Sequence, residues 1–151
     1  MRELLVFLHL IAVVVWVGGM VFAHACLRPA ALALPPPQRL PLMADALGRF
    51  FALVIGALVL LWGSGLARLT ATGFAAAPPS WHAMLALAAV MTAIFAIIRW
   101  RHYTALRARV AASDLPAAAA ALASIRRLVV VNLVLGMLTI AVATIGRHWP
   151  A

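Results

Sequence analysis

Four apolar runs dominate this chain, at residues 4–25, 50–67, 81–98 and 128–145. Each is 18 residues or longer, and about 20 helical residues cross a hydrocarbon core about 30 Å thick. No water reaches the backbone in such a core, so only helices and closed barrels can cross it. A barrel needs short strands of alternating polarity, and the runs do not alternate. The sequence therefore predicts an all-α fold: one membrane domain over residues 1–151, built as a four-helix bundle. Composition supports this, because 67% of the residues are apolar, against roughly 45–50% in soluble domains. The first run is longer than the apolar stretch of a cleaved leader. Arg2 before it is offset by Glu3, so it is read as a retained span.

Charge then orients the bundle. The 12 basic residues are all arginine, balanced only by Glu3, Asp45 and Asp114, for a net +9. They sit at the ends of the apolar runs and form no basic face, which argues against nucleic acid as a partner. Arg28, Arg39 and Arg49 follow run one, and Arg99, Arg101, Arg107, Arg109, Arg126 and Arg127 follow run three. Only Arg2, Arg68 and Arg147 fall on the opposite side. Arginine-rich short loops stay in the cytoplasm, so the N- and C-termini are expected outside, with the chain multi-pass in a bacterial inner membrane. Cys26 is the single cysteine and cannot form an internal disulfide.

Punctuation marks the helix ends. Pro29 and Pro35-Pro36-Pro37 break the chain after run one, and helix two is expected from about Leu40, with Asp45 and Arg49 paired at i,i+4. Ser80 is the expected N-cap of helix three. Helix three should continue past Ile98, and Ser113-Asp114-Leu115-Pro116 reads as a turn that restarts helix four near Pro116.

Helices in lipid associate through small and polar residues. On that rule the packed face of helix three is His82, Ala86, Ala89, Ala93 and Ala96, leaving Met84, Met91, Phe95 and Ile98 for lipid or gaps. Helix four offers Asn132, Gly136, Thr139 and Ala143, helix two offers Gly56, Gly63, Ser64 and Gly65, and helix one offers Gly18-Gly19.

Candidate chemistry rests on histidine. His9 lies within run one, and an ionisable group at that depth faces protein. His82 opens run three on the same side, about 6 Å from His9 in depth at 1.5 Å per residue. Neutral imidazole ligates copper or haem iron, so His9 and His82 are the candidate metal or cofactor ligands, with the Met20 thioether below them. Trp16, Met20 and, with more drift, His24 share the His9 face of helix one. His102, among arginines, reads as an interfacial residue, and His148 near the C-terminus as a tail residue close to the outer site. No nucleotide-binding loop, cysteine pair or carboxylate pair is present. No catalytic set is assigned, so the chain reads as a carrier or binding protein more than an enzyme.

The segments Leu8-His9-Leu10, Trp16-Val17-Gly18-Gly19 and Arg28-Pro29 resemble the first helix of the copper-resistance protein D (CopD) family. Arg126-Arg127-Leu128 followed by Asn132-Leu133-Val134-Leu135-Gly136 resembles its last helix, and Gly48-Arg49-Phe50 and Trp81-His82 fit between. The resemblance implies an inner-membrane copper-handling protein, in transport or resistance. The domain is also distantly similar to HemJ, a membrane protoporphyrinogen oxidase that binds haem b, and His9 matches its first-helix histidine. That likeness implies a haem b redox protein as an alternative, with Asn132 and Arg49 near the inner face holding a propionate or a substrate. The chain departs from HemJ in having no lysine and in following Asn132 with Leu133. A third reading is a structural membrane subunit without cofactor. Expected partners are the lipid bilayer, a periplasmic copper-binding protein and a second copy of the chain.

Overall fold

The computed structural model describes residues 2–146, so Arg147 and His148 lie outside the described residues. Four long helices follow one another: α1 (Glu3–Ala31), α2 (Pro36–Thr72), α3 (Pro79–Ala111) and α4 (Leu115–Ile145). No strand occurs among the described residues. Helices α1 and α2 form one antiparallel hairpin, α3 and α4 a second, and the two pack together as a bundle. Each expected run lies inside one helix, and each helix is longer than its run.

The extra length has a clear place. Arg49 and Arg68 stand nineteen residues apart on α2, and Arg99 stands eighteen residues beyond Trp81 on α3. At 1.5 Å per residue these separations are about 27–28 Å, close to the thickness of a hydrocarbon core. Large apolar side chains between these levels face outward, with Leu53 63%, Val59 69% and Val134 62% exposed. That surface is unstable in water and suited to lipid, so the protein is a multi-pass membrane protein. Beyond the level of Arg49, Arg99 and Arg127, helices α2, α3 and α4 run on for about 18 Å. Their apolar core continues there in Leu40, Ala44, Leu106, Ala118 and Ile125, all buried.

Three wide turns modulate the helices. The backbone is π-helical at Val14–Gly18 and Ala23–Leu27 in α1, and at Ile98–His102 in α3. Pro29 explains the second, because its ring has no N–H to give and would collide with the carbonyl four residues back. A π turn holds more residues than an α turn, so residues four apart stay in line. Trp16, Met20, His24 and Arg28 consequently share one inward face of α1. On α3 the wide turn carries burial from Ile98 to Tyr103, five residues later, where an unbroken helix would have turned Tyr103 away by about 140°.

Helix ends differ in part from expectation. Helix α2 begins at Pro36 instead of Leu40. Ser80 is a buried residue inside the first turn of α3, and the N-cap position belongs to Pro78. Asp45 and Arg49 are both exposed and form no ion pair; the pair found among the described residues is Arg109–Asp114, 3.4 Å. The turn after α3 forms as read. Asp114 caps α4 by accepting from the Ala117 N–H at 3.2 Å. Ser113 adopts φ 56°, and the Asp114 and Ser113 N–H groups close back on Arg109 and Val110.

The packed faces also divide. Asn132 and Gly136 on α4 are inward as expected. Helix α3 instead presents Met91, Phe95 and Ile98 inward, while Ala86, Ala89 and Ala93 are exposed. The reason is that α4 supplies the small partner: a Cβ on Gly136 would lie 3.0 Å from Val17 and 3.3 Å from Met91. Large residues of α1 and α3 fill that space. Gly56, Gly63 and Gly18 face open space, whereas Gly19 packs on Phe50.

At the bundle centre Trp16, Phe95, Phe51 and Tyr103, in that order, make a chain of edge-to-face rings, with successive centroids 6.3, 5.6 and 5.3 Å apart. Tyr103 donates from its hydroxyl to the Ala44 carbonyl at 3.2 Å across Gly48. A Cβ on Gly48 would run into that hydroxyl. Gly48→Ala is therefore expected to destabilise the fold by about 1–3 kcal/mol, as overpacking does. Adding Tyr103→Phe should recover more than half of the loss, because the ring carbon behind the hydroxyl lies 3.3 Å away. Thermal unfolding of both variants in detergent checks this; equal melting of the single and double variants would refute it.

Candidate metal and cofactor cavity

Between the two hairpins, at the end opposite the arginine clusters, lies a cavity of about 700 Å³ lined by all four helices. Its walls carry His9, Trp16 and Val17 from α1, Gly65 and Arg68 from α2, Trp81, Met84 and Met91 from α3, and Gly136 and Thr139 from α4. Trp16 and Met91 are only 2% and 3% exposed. At the mouth, Glu3 and Arg68 share the rim, and the Arg68 guanidinium lies 4.8 Å over the Trp81 ring.

His9 is held by α2. Its Nδ1 lies 3.0 Å from Ser64 Oγ, and the Ser64 hydroxyl donates to the Leu60 carbonyl one turn back. A hydroxyl has a single proton, so Ser64 accepts from His9 and Nδ1 carries the hydrogen. Nε2 is left with its lone pair. This is how an outer partner fixes a histidine ligand's tautomer and orientation. The sequence places Ser64 in line for the task by setting Gly65 beside it, 3.6 Å from the His9 ring at its Cβ position.

The predicted site residues are therefore partly gathered. His9 and Trp16 line the cavity, and Met20 is buried at 2% exposure in the core. His82 does not line it: its ring packs edge-on against Phe74, centroids 4.6 Å apart. Asn132 is 1% exposed and donates from Nδ2 to the Met91 carbonyl at 3.1 Å, so it fixes the helix that carries Met91. Arg49 is exposed and bonds to nothing among the described residues. His24 lies by a second cavity at the other end, and His102 falls in the third wide turn.

Sequence reasoning passed over Met84 and Met91. Their spacing of seven, in phase with Trp81 and Phe95, is the signal that would have found them. Among the described residues no three His, Cys, Asp or Glu side chains converge. The lining adds to His9 the thioethers of Met84 and Met91, soft donors suited to Cu(I), with the Glu3 carboxylate at the rim. Met91 and Met20 are both buried in the same core cluster.

These features define a four-helix membrane protein with a histidine and methionine cavity between its hairpins. Compared with known families, residues 44–145 match Copper resistance protein D (CopD), and the chain belongs to that family. The match takes in Ser64, Met84, Met91 and Gly136 and begins after His9. No curated protein and no solved structure matches the chain.

Proposed function

We propose that this protein handles copper in a bacterial inner membrane, taking Cu(I) as cargo into the cavity between its hairpins. His9 Nε2, Met84 and Met91 are the ligands, with Met20 as the next sulfur inward. The arginine-poor end faces the periplasm in this reading, so a periplasmic copper-binding protein is the donor or acceptor. The carrying observation is the His9 Nδ1–Ser64 Oγ contact, which holds the imidazole in a cavity that Met84 and Met91 also line. Membership in the copper resistance family supports the same metal.

A second reading draws on size. A cavity of about 700 Å³ falls in the range that holds organic ligands, about 300–1,000 Å³. Haem b with His9 as an axial ligand is the occupant that reading names, and Arg68 at the rim would meet a propionate.

One preparation separates the two. The full chain in nanodiscs is titrated with Cu(I) against a chromogenic chelator, and its visible spectrum is recorded. Copper handling predicts colourless protein that withdraws one equivalent of Cu(I) per chain. A Soret band in the purified protein would favour haem, and colourless protein that leaves all copper with the chelator would sink the copper reading.

A further inference from the structure

We propose that the second cavity, at the arginine-rich end, binds the phosphate of an anionic membrane phospholipid. The inference does not depend on the copper reading. The cavity holds about 300 Å³ and is walled by α1, α2 and α4. His24 and Arg28 reach it from α1, Arg39 from α2 and Arg126 from α4. Three helices thus bring three permanent cations to one small space.

The described residues supply no counter-charge there. Glu3 is at the opposite end of the bundle, Asp114 pairs with Arg109, and Asp45 is exposed and unpaired. The Arg28 Nε is buried and has no hydrogen-bond partner among the described residues. A guanidinium N–H shielded from solvent needs an acceptor, and the guanidinium fork fits phosphate with two parallel bonds. An anion with several oxygens answers both requirements.

The rest of the lining decides which anion. It is apolar, with Ala123 and Met43 typical of it. A free inorganic ion gains nothing from such walls, whereas a lipid lays the start of an acyl chain on them. The depth agrees, because Arg28 and Arg126 sit where the apolar helix surfaces give way to arginine. That is the level of phospholipid phosphates, and anionic lipids gather at clustered arginines. The volume admits a headgroup and the first carbons of a chain, with the remainder lying between helices in the bilayer.

Native mass spectrometry of the full chain, released from detergent doped with phosphatidylglycerol or phosphatidylcholine, tests the site. One phosphatidylglycerol should stay bound per chain. Arg28→Gln and Arg126→Gln should each weaken retention by about tenfold, the loss of one charge-assisted contact. Ala123→Phe, which fills the apolar wall and changes no charge, should weaken it as well. The exposed Arg107→Gln should change nothing. Arg28→Lys keeps the charge without the fork and should fall between the native chain and Arg28→Gln, which keeps the test open if the glutamine variant misfolds. Equal loss in Arg107→Gln would mean diffuse charge attraction and overturn the proposal. Displacement of the lipid by millimolar inorganic phosphate would assign the arginines to the free ion and overturn it too.

Discussion

Replacing His9 by alanine is expected to lower Cu(I) affinity on the order of 100-fold, at the upper end of effects seen when metal sites lose a supporting group. Among the described residues no histidine other than His9 lines the cavity. Helix α1 should survive, because alanine favours helix and the lost side chain borders open volume. Ser64→Ala should give the same effect in reduced form, about tenfold. Without the Ser64 oxygen the Nδ1 hydrogen is no longer fixed, and the ring spends part of its time with the wrong nitrogen toward the metal. Chelator competition in nanodiscs reads both variants. A His9→Ala protein that holds copper like the native chain would remove imidazole from the site.

The double substitution Met84→Leu and Met91→Leu is expected to cost a comparable factor, on the order of 100-fold in Cu(I) affinity, by leaving soft metal with one nitrogen donor. Leucine conserves volume, so stability should change by less than about 1.5 kcal/mol. The Asn132 bond to Met91 uses the backbone carbonyl and is retained. X-ray absorption at the copper edge should lose its sulfur shell in this variant. Haem bound through His9 would persist with little change, so the variant also tells the two occupants apart. Copper binding that stays at native strength, with nitrogen and oxygen neighbours only, would assign the methionines to packing.

Those predictions rest on residues that were unequally legible in the sequence. Hydropathy alone located the four helices, since lipid demands about 20 apolar residues whatever their order. The Ser113–Asp114 turn could be read because its chemistry is local: one residue at positive φ and one carboxylate over the next helix start. His9 stood out because a titratable group inside an apolar run requires a partner. Its partner could not be named, because Ser64 belongs to another helix and their meeting depends on how α1 and α2 are rotated.

Rotation is where sequence reasoning failed on α3. The small-residue rule marks helices that approach closely, but it does not say which of two partners carries the small side. Gly136 on α4 took that role against Val17 and Met91, which turned the alanines of α3 outward and brought Met84 and Met91 to the cavity. His82, on the alanine side, went with them to Phe74. The wide turns add a second uncertainty of phase. Trp16, Met20, His24 and Arg28 drift apart on an ideal helix and are aligned here by π-helical turns that no residue pattern announces, apart from Pro29.

The separation of about 27–28 Å between the arginine level and the Arg68–Trp81 level also fixes where such a chain is comfortable. A bilayer of ordinary thickness matches that span without tilt, and a sterol-thickened one would exceed it by several ångströms. Guanidinium groups that stack on tryptophan or gather at a lipid phosphate resist being drawn into oil. Hydrophobic mismatch in a thicker bilayer would therefore be met by deforming the surrounding lipid.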